Sequence, residues 1–196
     1  MSQRFRRLQP ALAAFWVCAV LLYAAGVQAQ SSVGAGQAEP ADRTAPQAAS
    51  IVHVRGIKDS VYDGGRLLAS AVDASPTVRQ LVGELEQSTV VVFVELRDRL
   101  PNGRAQLTFV TARAGLRWLR ISIDAAQPAI PQIAFLAHEL RHAVEVAAAA
   151  EVQSLDEFRQ LYERIGIPLG GGHFETAAAI AAGNQTLREV NAARQR

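Results

Sequence analysis

The chain has 196 residues, of which 20 are Lys or Arg and 18 are Asp or Glu, so its formal net charge at pH 7 is +2. This length is enough for one domain with a hydrophobic core. Three of the basic residues, Arg4, Arg6 and Arg7, lie at the start of the chain, and without them 17 basic residues face 18 acidic ones. The rest of the chain carries no basic excess of the kind that nucleic-acid-binding domains show, so we expect no nucleic-acid partner.

The first 29 residues have the layout of a secretory signal peptide. The early arginines are followed by the apolar stretch 11–27 and by Val27-Gln28-Ala29, a cleavage site of small residues. We therefore expect a periplasmic or secreted protein with no stable membrane span after cleavage. The alternative is a chain anchored in the membrane by residues 11–27. The only cysteine, Cys18, lies in this segment, so we expect no disulfide in the mature chain.

The next segment, residues 30–50, is rich in Ala, Gln, Ser, Gly and Pro and has no hydrophobic period. This composition predicts a disordered linker, and we place the folded domain at residues 51–196. Within that domain, residues 51–54 alternate weakly as a short strand would. A turn is predicted at 63–65 and a short helix at 66–72.

The middle of the domain is predicted to contain one helix and three strands. Ser75 followed by Pro76 predicts a helix that ends near Gln87, because serine caps helix N-termini and proline suits the first turn. Three strand-like segments follow, at 89–96, 105–112 and 116–124. The first is apolar on both faces, which predicts a central strand. The tight connection Ala114-Gly115 predicts that the last two form a hairpin.

Three helices are predicted after the strands. The first begins at Pro131 and the second is capped by Ser154. The glycines at 170–172 are expected to form a flexible hinge before the third helix, which should begin near Phe174 and carry Glu175 in its first turn. These elements predict an α+β fold: a small sheet of three to four largely antiparallel strands, packed on an N-terminal helix and on the first of these three helices, with the C-terminal helices following.

The helix that begins at Pro131 contains the motif H-E-x-x-H, formed by His138, Glu139 and His142. Residues four apart lie on the same helix face, so the two imidazoles can bind one metal ion. Glu139 lies about 100° further round the helix, within reach of a water on that ion without binding the ion itself. Zinc favours imidazole ligands together with an open position for water. The motif therefore predicts a zinc site.

Two histidines leave a zinc site incomplete, and we expect a carboxylate on a later element as the third ligand. Glu175 is preferred, because the positive end of the last helix would favour its ionised form. His173 is a rival, as a ligand or as a donor to a reaction intermediate, and Glu151 and Glu163 are further rivals. Glu145 lies on the same helix face as both histidines, where we expect an acceptor for a ligand's second nitrogen or a salt-bridge partner.

The H-E-x-x-H motif and the order of the elements around it resemble the zincin metallopeptidases. With a glutamate as third ligand, the chain resembles their gluzincin branch in a small, single-domain form. The resemblance implies a zincin-like fold, zinc bound by His138, His142 and Glu175, and Glu139 as the general base. It also implies that the strand at 116–124 lies along the cleft and pairs with an extended peptide.

The resulting hypothesis is a zinc-dependent hydrolase that cleaves peptide bonds in a peptide or protein substrate. Tyr162 and His173 are candidate donors to the negative charge that develops on the substrate, although each also suits a packing or loop role. The alternative is an exported module that binds zinc or a partner on the same scaffold without catalysis, because a fold does not imply a function.

Overall fold

The structure is a computed structural model that describes residues 64–100, 103–170 and 172–195. The predicted signal peptide, the predicted linker and the strand predicted at 51–54 lie outside the described residues. The described residues form five helices, a three-stranded sheet and a separate two-stranded hairpin. The α+β class predicted from the sequence is confirmed. None of the described helices has the length and apolar character that crossing a membrane requires.

The elements run in the chain order α1–α2–β1–β2–β3–α3–α4–β4–β5–α5. Their bounds are α1 Gly64–Ala74, α2 Pro76–Glu86, β1 Val90–Arg97, β2 Ala105–Arg113, β3 Leu116–Asp124, α3 Ala129–Ala148, α4 Leu155–Ile165, β4 Ile167–Gly170, β5 His173–Glu175 and α5 Ala177–Arg194. Every helix and strand predicted within the described residues therefore has a counterpart. The β4–β5 hairpin is the element that was not predicted.

Two predicted helix starts are confirmed by their capping hydrogen bonds. The Ser75 hydroxyl accepts a hydrogen bond from the amide of Val78 at 3.2 Å, which satisfies an otherwise unpaired donor of α2. The Ser154 hydroxyl does the same for the amide of Glu157 at the start of α4. The Glu157 carboxylate in turn accepts from the amide of Gln153, so the two residues cap the helix reciprocally.

The three-stranded sheet has the order β1–β3–β2. The predicted β2–β3 hairpin is confirmed, and Ala114 and Gly115 form its turn with positive φ angles of 53° and 77°. However, β1 and β3 run parallel, so the expectation of a largely antiparallel sheet is wrong for this pair. Among the described strands, β3 is central and β1 pairs only with β3. The chain leaves β1, crosses the end of the sheet to β2, and returns between the two strands.

The hydrophobic core lies between the inner face of the sheet and α3. Alternate residues of the strands are fully buried on that face, among them Val94, Leu107, Leu119, Ile121 and Ile123. The helix α3 contacts all three strands, and it also contacts α1, α2 and α5. It is therefore enclosed nearly all round, and every residue from Ile133 to Ala143 except Arg141 is buried.

The C-terminal end of α3 is held by an arginine from the sheet. Arg117, on β3, donates to the backbone carbonyls of Val146 at 2.6 Å, Ala149 at 2.7 Å and Ala147 at 3.2 Å. It also donates to the hydroxyl of Thr89 at 2.8 Å. Since the last carbonyls of a helix lack intrahelical partners and carry partial negative charge, this buried guanidinium stabilises the helix end and its position on the sheet.

Candidate metal centre

The H-E-x-x-H motif lies within the enclosed part of α3. His138, Glu139 and His142 each have 0% solvent exposure. The apolar residues around the motif account for this burial, because the hydrophobic effect favours packing the helix between the sheet and the other helices. Three ionisable side chains are thereby held in the interior, where charged or unpaired polar groups cost free energy unless they are compensated.

Glu175 is brought to the two histidines by the β4–β5 hairpin. It ends β5, pairs across the hairpin with Ile167 and is 2% exposed. The prediction that it opens the last helix is wrong: α5 begins at Ala177, and Thr176 is its N-cap. Gly170 of the predicted glycine hinge instead ends β4, and Gly172 directly precedes β5 of this hairpin. Its strands have only four and three residues, too few to show a hydrophobic period in the sequence.

Three candidate ligand groups converge on a common point. Nε2 of His138 lies 3.2 Å from Nε2 of His142 and 3.1 Å from both carboxylate oxygens of Glu175. Nε2 of His142 lies 3.6 Å from the nearer of those oxygens. Two ligands held about 2.0–2.1 Å from a tetrahedral zinc ion would be about 3.3–3.4 Å apart. The observed spacings of 3.1–3.6 Å match that arrangement.

The electrostatics of the group favour a bound cation. Burial acts to raise the pKa of Glu175, but the hydrogen bond from His138 and the positive charge that the two histidines can carry outweigh it and lower the pKa. Burial acts to lower the pKa of His142, but the hydrogen bond to Glu145 and the nearby carboxylates of Glu175 and Glu139 outweigh it and raise the pKa to about 9. The carboxylates around His142 thus favour positive charge at its ring, which a metal ion can supply in place of a proton.

Glu145 contacts the centre from outside the ligand group. Its Oε2 accepts a hydrogen bond from Nδ1 of His142 at 2.9 Å, and its Oε1 accepts one from the Thr176 hydroxyl at 2.6 Å. Arg141 approaches the same carboxylate at 3.9 Å from the partly exposed side of α3. Helical spacing predicted Glu145 on the face of the two histidines, but no sequence pattern indicated Thr176, because its contact with Glu145 depends on the hairpin.

Tyr162 and His173 are placed differently from each other. The Tyr162 hydroxyl is buried and donates to the backbone carbonyl of His142 at 3.1 Å, so its hydrogen is used in packing α4 on α3. Its ring stands edge-on to that of His142. His173 lies on β5, half-buried, two residues before Glu175. Its ring nitrogens are outside the converging set.

The remaining rivals for the third ligand lie at the surface. Glu151 pairs with Arg164 at 2.7 Å, and both side chains are more than half exposed. Glu163 is exposed on α4. Within the described ranges, the one group of three or more His, Cys, Asp or Glu side chains with converging ligand atoms is His138, His142 and Glu175. This buried group could bind a metal ion.

The implied pairing of a peptide with β3 is wrong. β1 is hydrogen-bonded along one side of β3, from Arg117 to Asp124, and β2 along the other, from Leu116 to Ile123. Both edges of this strand are therefore occupied by the sheet itself, and an extended substrate has no free backbone groups to pair with there.

Comparisons of the chain with protein-family models, with curated proteins and with solved structures gave no match. The candidate metal centre therefore depends on the residues themselves: two histidines one helical turn apart, a glutamate brought to them by a hairpin, and the burial of all three.

Proposed function

We propose that this protein is a zinc-dependent hydrolase that cleaves peptide bonds with Glu139 as general base. One observation carries the proposal: the ligand atoms of His138, His142 and Glu175 have the spacing of a tetrahedral zinc site. Glu139, which follows His138 in the sequence, is also fully buried. Two imidazoles and one carboxylate are a donor set typical of catalytic zinc, which keeps a fourth position open.

A bound zinc ion would supply a water of lowered pKa and would polarise a substrate carbonyl. The protein's part would be to hold the ligands and to move a proton. His138 and His142 are fixed by the enclosed helix, and Glu175 by the hairpin. Glu139 would accept the proton of the attacking water and pass it to the leaving amine. Its negative charge extends to this region, since it contributes to the raised pKa of His142.

The likeness to the zincins belongs to the same proposal. Two features support this likeness. The H-E-x-x-H helix lies at the centre of an α+β domain, and Glu175 from a later element lies against its histidines. The mixed sheet and the fully paired β3 depart from what the resemblance implied. A gluzincin-like fold is therefore proposed on the strength of the site.

A second candidate function has an observation of its own. The side chains of all four residues of the centre are at most 2% exposed, whereas a substrate must reach the fourth position of a catalytic zinc. A closed site with protein ligands is typical of zinc that stabilises a fold. On this alternative the protein is a non-catalytic zinc-binding or interaction module.

Two substitutions decide between these functions. Glu139→Gln keeps the shape of the side chain but removes its basic carboxylate, and His138→Ala removes a ligand. Zinc content would be measured by metal analysis of the purified mature protein, and cleavage with a library of quenched peptides. Glu86→Gln, at the exposed last residue of α2, is the matched control for the loss of one carboxylate.

For a hydrolase, the wild type and Glu139→Gln should each contain one zinc, with cleavage lost in the variant. His138→Ala should lose both zinc and cleavage. Zinc in the wild type with no cleavage of any library peptide would favour the non-catalytic module. Equal zinc in the wild type and His138→Ala would remove the proposed site.

We further propose that the chain is exported by its first 29 residues and acts on a peptide or protein substrate outside the cytoplasm. Mass spectrometry of the mature N-terminus would test this. A chain that begins at Gln30 supports cleavage, whereas one that retains residues 11–27 supports the membrane-anchored alternative.

A further inference from the structure

A chain of hydrogen bonds links His142 to the N-terminus of α5. Nδ1 of His142 donates to Oε2 of Glu145 at 2.9 Å. Oε1 of the same carboxylate accepts from the Thr176 hydroxyl at 2.6 Å. The Thr176 hydroxyl itself accepts from the amide of Ala179 at 3.1 Å. Every hydroxyl and carboxylate oxygen in this chain therefore has a defined partner, and the two side chains are only 9% and 5% exposed.

The direction of these bonds selects which nitrogen of His142 faces the metal site. An ionised carboxylate can only accept, so the proton between Glu145 and His142 must belong to Nδ1. In a neutral imidazole the other nitrogen, Nε2, is then the one with a free lone pair. Nε2 is also the nitrogen that lies 3.2 Å from Nε2 of His138. The tautomer that Glu145 requires is therefore the one that can bind a metal.

Thr176 links the tautomer of His142 to the position of the third ligand, Glu175. It directly follows Glu175 in the chain, and its hydroxyl serves both as the N-cap of α5 and as the donor to Glu145. One short chain of bonds thus orients a ligand on α3 and anchors the end of the segment that supplies the ligand from β5. These two segments are far apart in the chain, and this link adds to the direct contact of His138 with Glu175 that also joins them.

We propose that Glu145 and Thr176 are positioning residues for the metal centre, acting through His142 and Glu175 rather than by binding the ion. This inference depends on the metal site of the proposed function, although it holds whether that site is catalytic or not. Loss of a partner of this kind typically weakens metal binding about 10- to 100-fold. We expect a weakening in that range for Glu145→Ala.

The test uses the full mature protein and zinc alone as the ligand. The zinc dissociation constant would be measured by competition with a chromophoric chelator, and the thermal midpoint of the metal-free protein in parallel. Glu145→Gln, which keeps the shape and an acceptor oxygen, should lie between the wild type and Glu145→Ala. Thr176→Val should weaken zinc severalfold, whereas Thr176→Ser, which keeps the hydroxyl, should bind within about threefold of the wild type.

Arg141→Gln is the control for a general effect of charge, because Arg141 approaches Glu145 but does not bridge it to a ligand. It should leave the zinc dissociation constant within about threefold. A merely structural role would lower the thermal midpoint of the metal-free variants and leave the dissociation constant of the folded protein unchanged. In zinc-loaded wild type, nitrogen-15 spectra of the imidazoles should show the His142 proton on Nδ1.

Zinc affinity of Glu145→Ala and Glu145→Gln within threefold of the wild type would overturn the inference while leaving the proposed site intact. A wild type that binds no zinc would overturn both. Weakened zinc binding in these variants, in a protein that cleaves no peptide, would support the positioning role and remove only the hydrolase.

Discussion

The most informative stability prediction concerns Arg117, which holds the end of the site helix from the central strand. In Arg117→Ala, three carbonyls at the end of α3 and the hydroxyl of Thr89 lose a charged donor. The methylene groups of the side chain, which is 3% exposed, are also lost from the core. We expect the free energy of unfolding to fall substantially, because buried carbonyls left without partners keep their desolvation cost.

The magnitude follows from the kind of bonds that are lost. A hydrogen bond from a charged donor is worth about 1.5–3 kcal/mol, but four bonds from one group are not additive, and the desolvation of the guanidinium offsets part of them. Breaking a buried polar arrangement by removing one partner costs about 3–5 kcal/mol. At about 2–4 °C per kcal/mol for a domain of this size, the thermal midpoint should fall by roughly 10 °C.

Urea unfolding of the metal-free protein, followed by circular dichroism, measures this loss. Arg164→Ala is the matched control: it removes an arginine that donates to the Glu151 carboxylate at 2.7 Å, but this pair is exposed to solvent and should contribute little to stability. The stability loss in Arg117→Lys should lie between those of Arg117→Ala and Arg164→Ala, because the single charge of lysine cannot span three carbonyls. A loss below about 1 kcal/mol for Arg117→Ala would refute the reasoning.

Three further predictions concern the site and its support. Burial lowers the pKa of His142, but the hydrogen bond to Glu145 and the other nearby carboxylates outweigh it and raise the pKa from 6.5 to about 9. The protonated His142 ring should therefore stabilise the metal-free protein fully below pH 6.5, and up to about 3 kcal/mol of the unfolding free energy should be lost as the pH rises to 9. An unfolding free energy that stays level over that interval would contradict the prediction. Tyr162→Phe should cost about 1 kcal/mol in urea unfolding and leave any cleavage rate within a fewfold, because its hydroxyl serves packing; a hundredfold slower rate would instead assign it to the reaction. Gly64→Ala should destabilise the protein in thermal unfolding, since the added Cβ would overlap the carbonyl oxygen of Val94, whereas in Gly83→Ala the added Cβ has nothing within 4 Å and should stabilise α2 by up to ~1 kcal/mol. Equal midpoints for the two glycine variants would show that the contact of α1 with β1 is not as close as described.

Much of the fold could be predicted because its signals are local. The caps at Ser75 and Ser154 are satisfied within one turn of their own helices, and the Ala114-Gly115 turn joins strands that are neighbours in the chain. The H-E-x-x-H spacing is likewise a property of a single helix. It predicts that His138 and His142 share a face whatever packs around them.

The sheet order could not be predicted in this way. β1 is apolar on both faces, which suggested a central position, but the centre is taken by β3 because it inserts between β1 and β2. Strand pairing is a choice between distant segments with similar patterns, so alternation alone does not select the partner or its direction. Because β3 lies between β1 and β2, it has no free edge with which a peptide could pair.

The sequence by itself determined which residues could form the site: the two histidines of α3, Glu139 between them, and a short set of later carboxylates. Only the tertiary structure decided among those carboxylates. It placed Glu175 on a short hairpin strand, left Glu151 and Glu163 at the surface, and joined Glu145 to Thr176. The physical reason is the distance along the chain over which each feature is set. A helix face depends on the backbone geometry of a few residues, whereas a buried polar cluster forms only where packing brings remote segments together so that their side chains compensate one another.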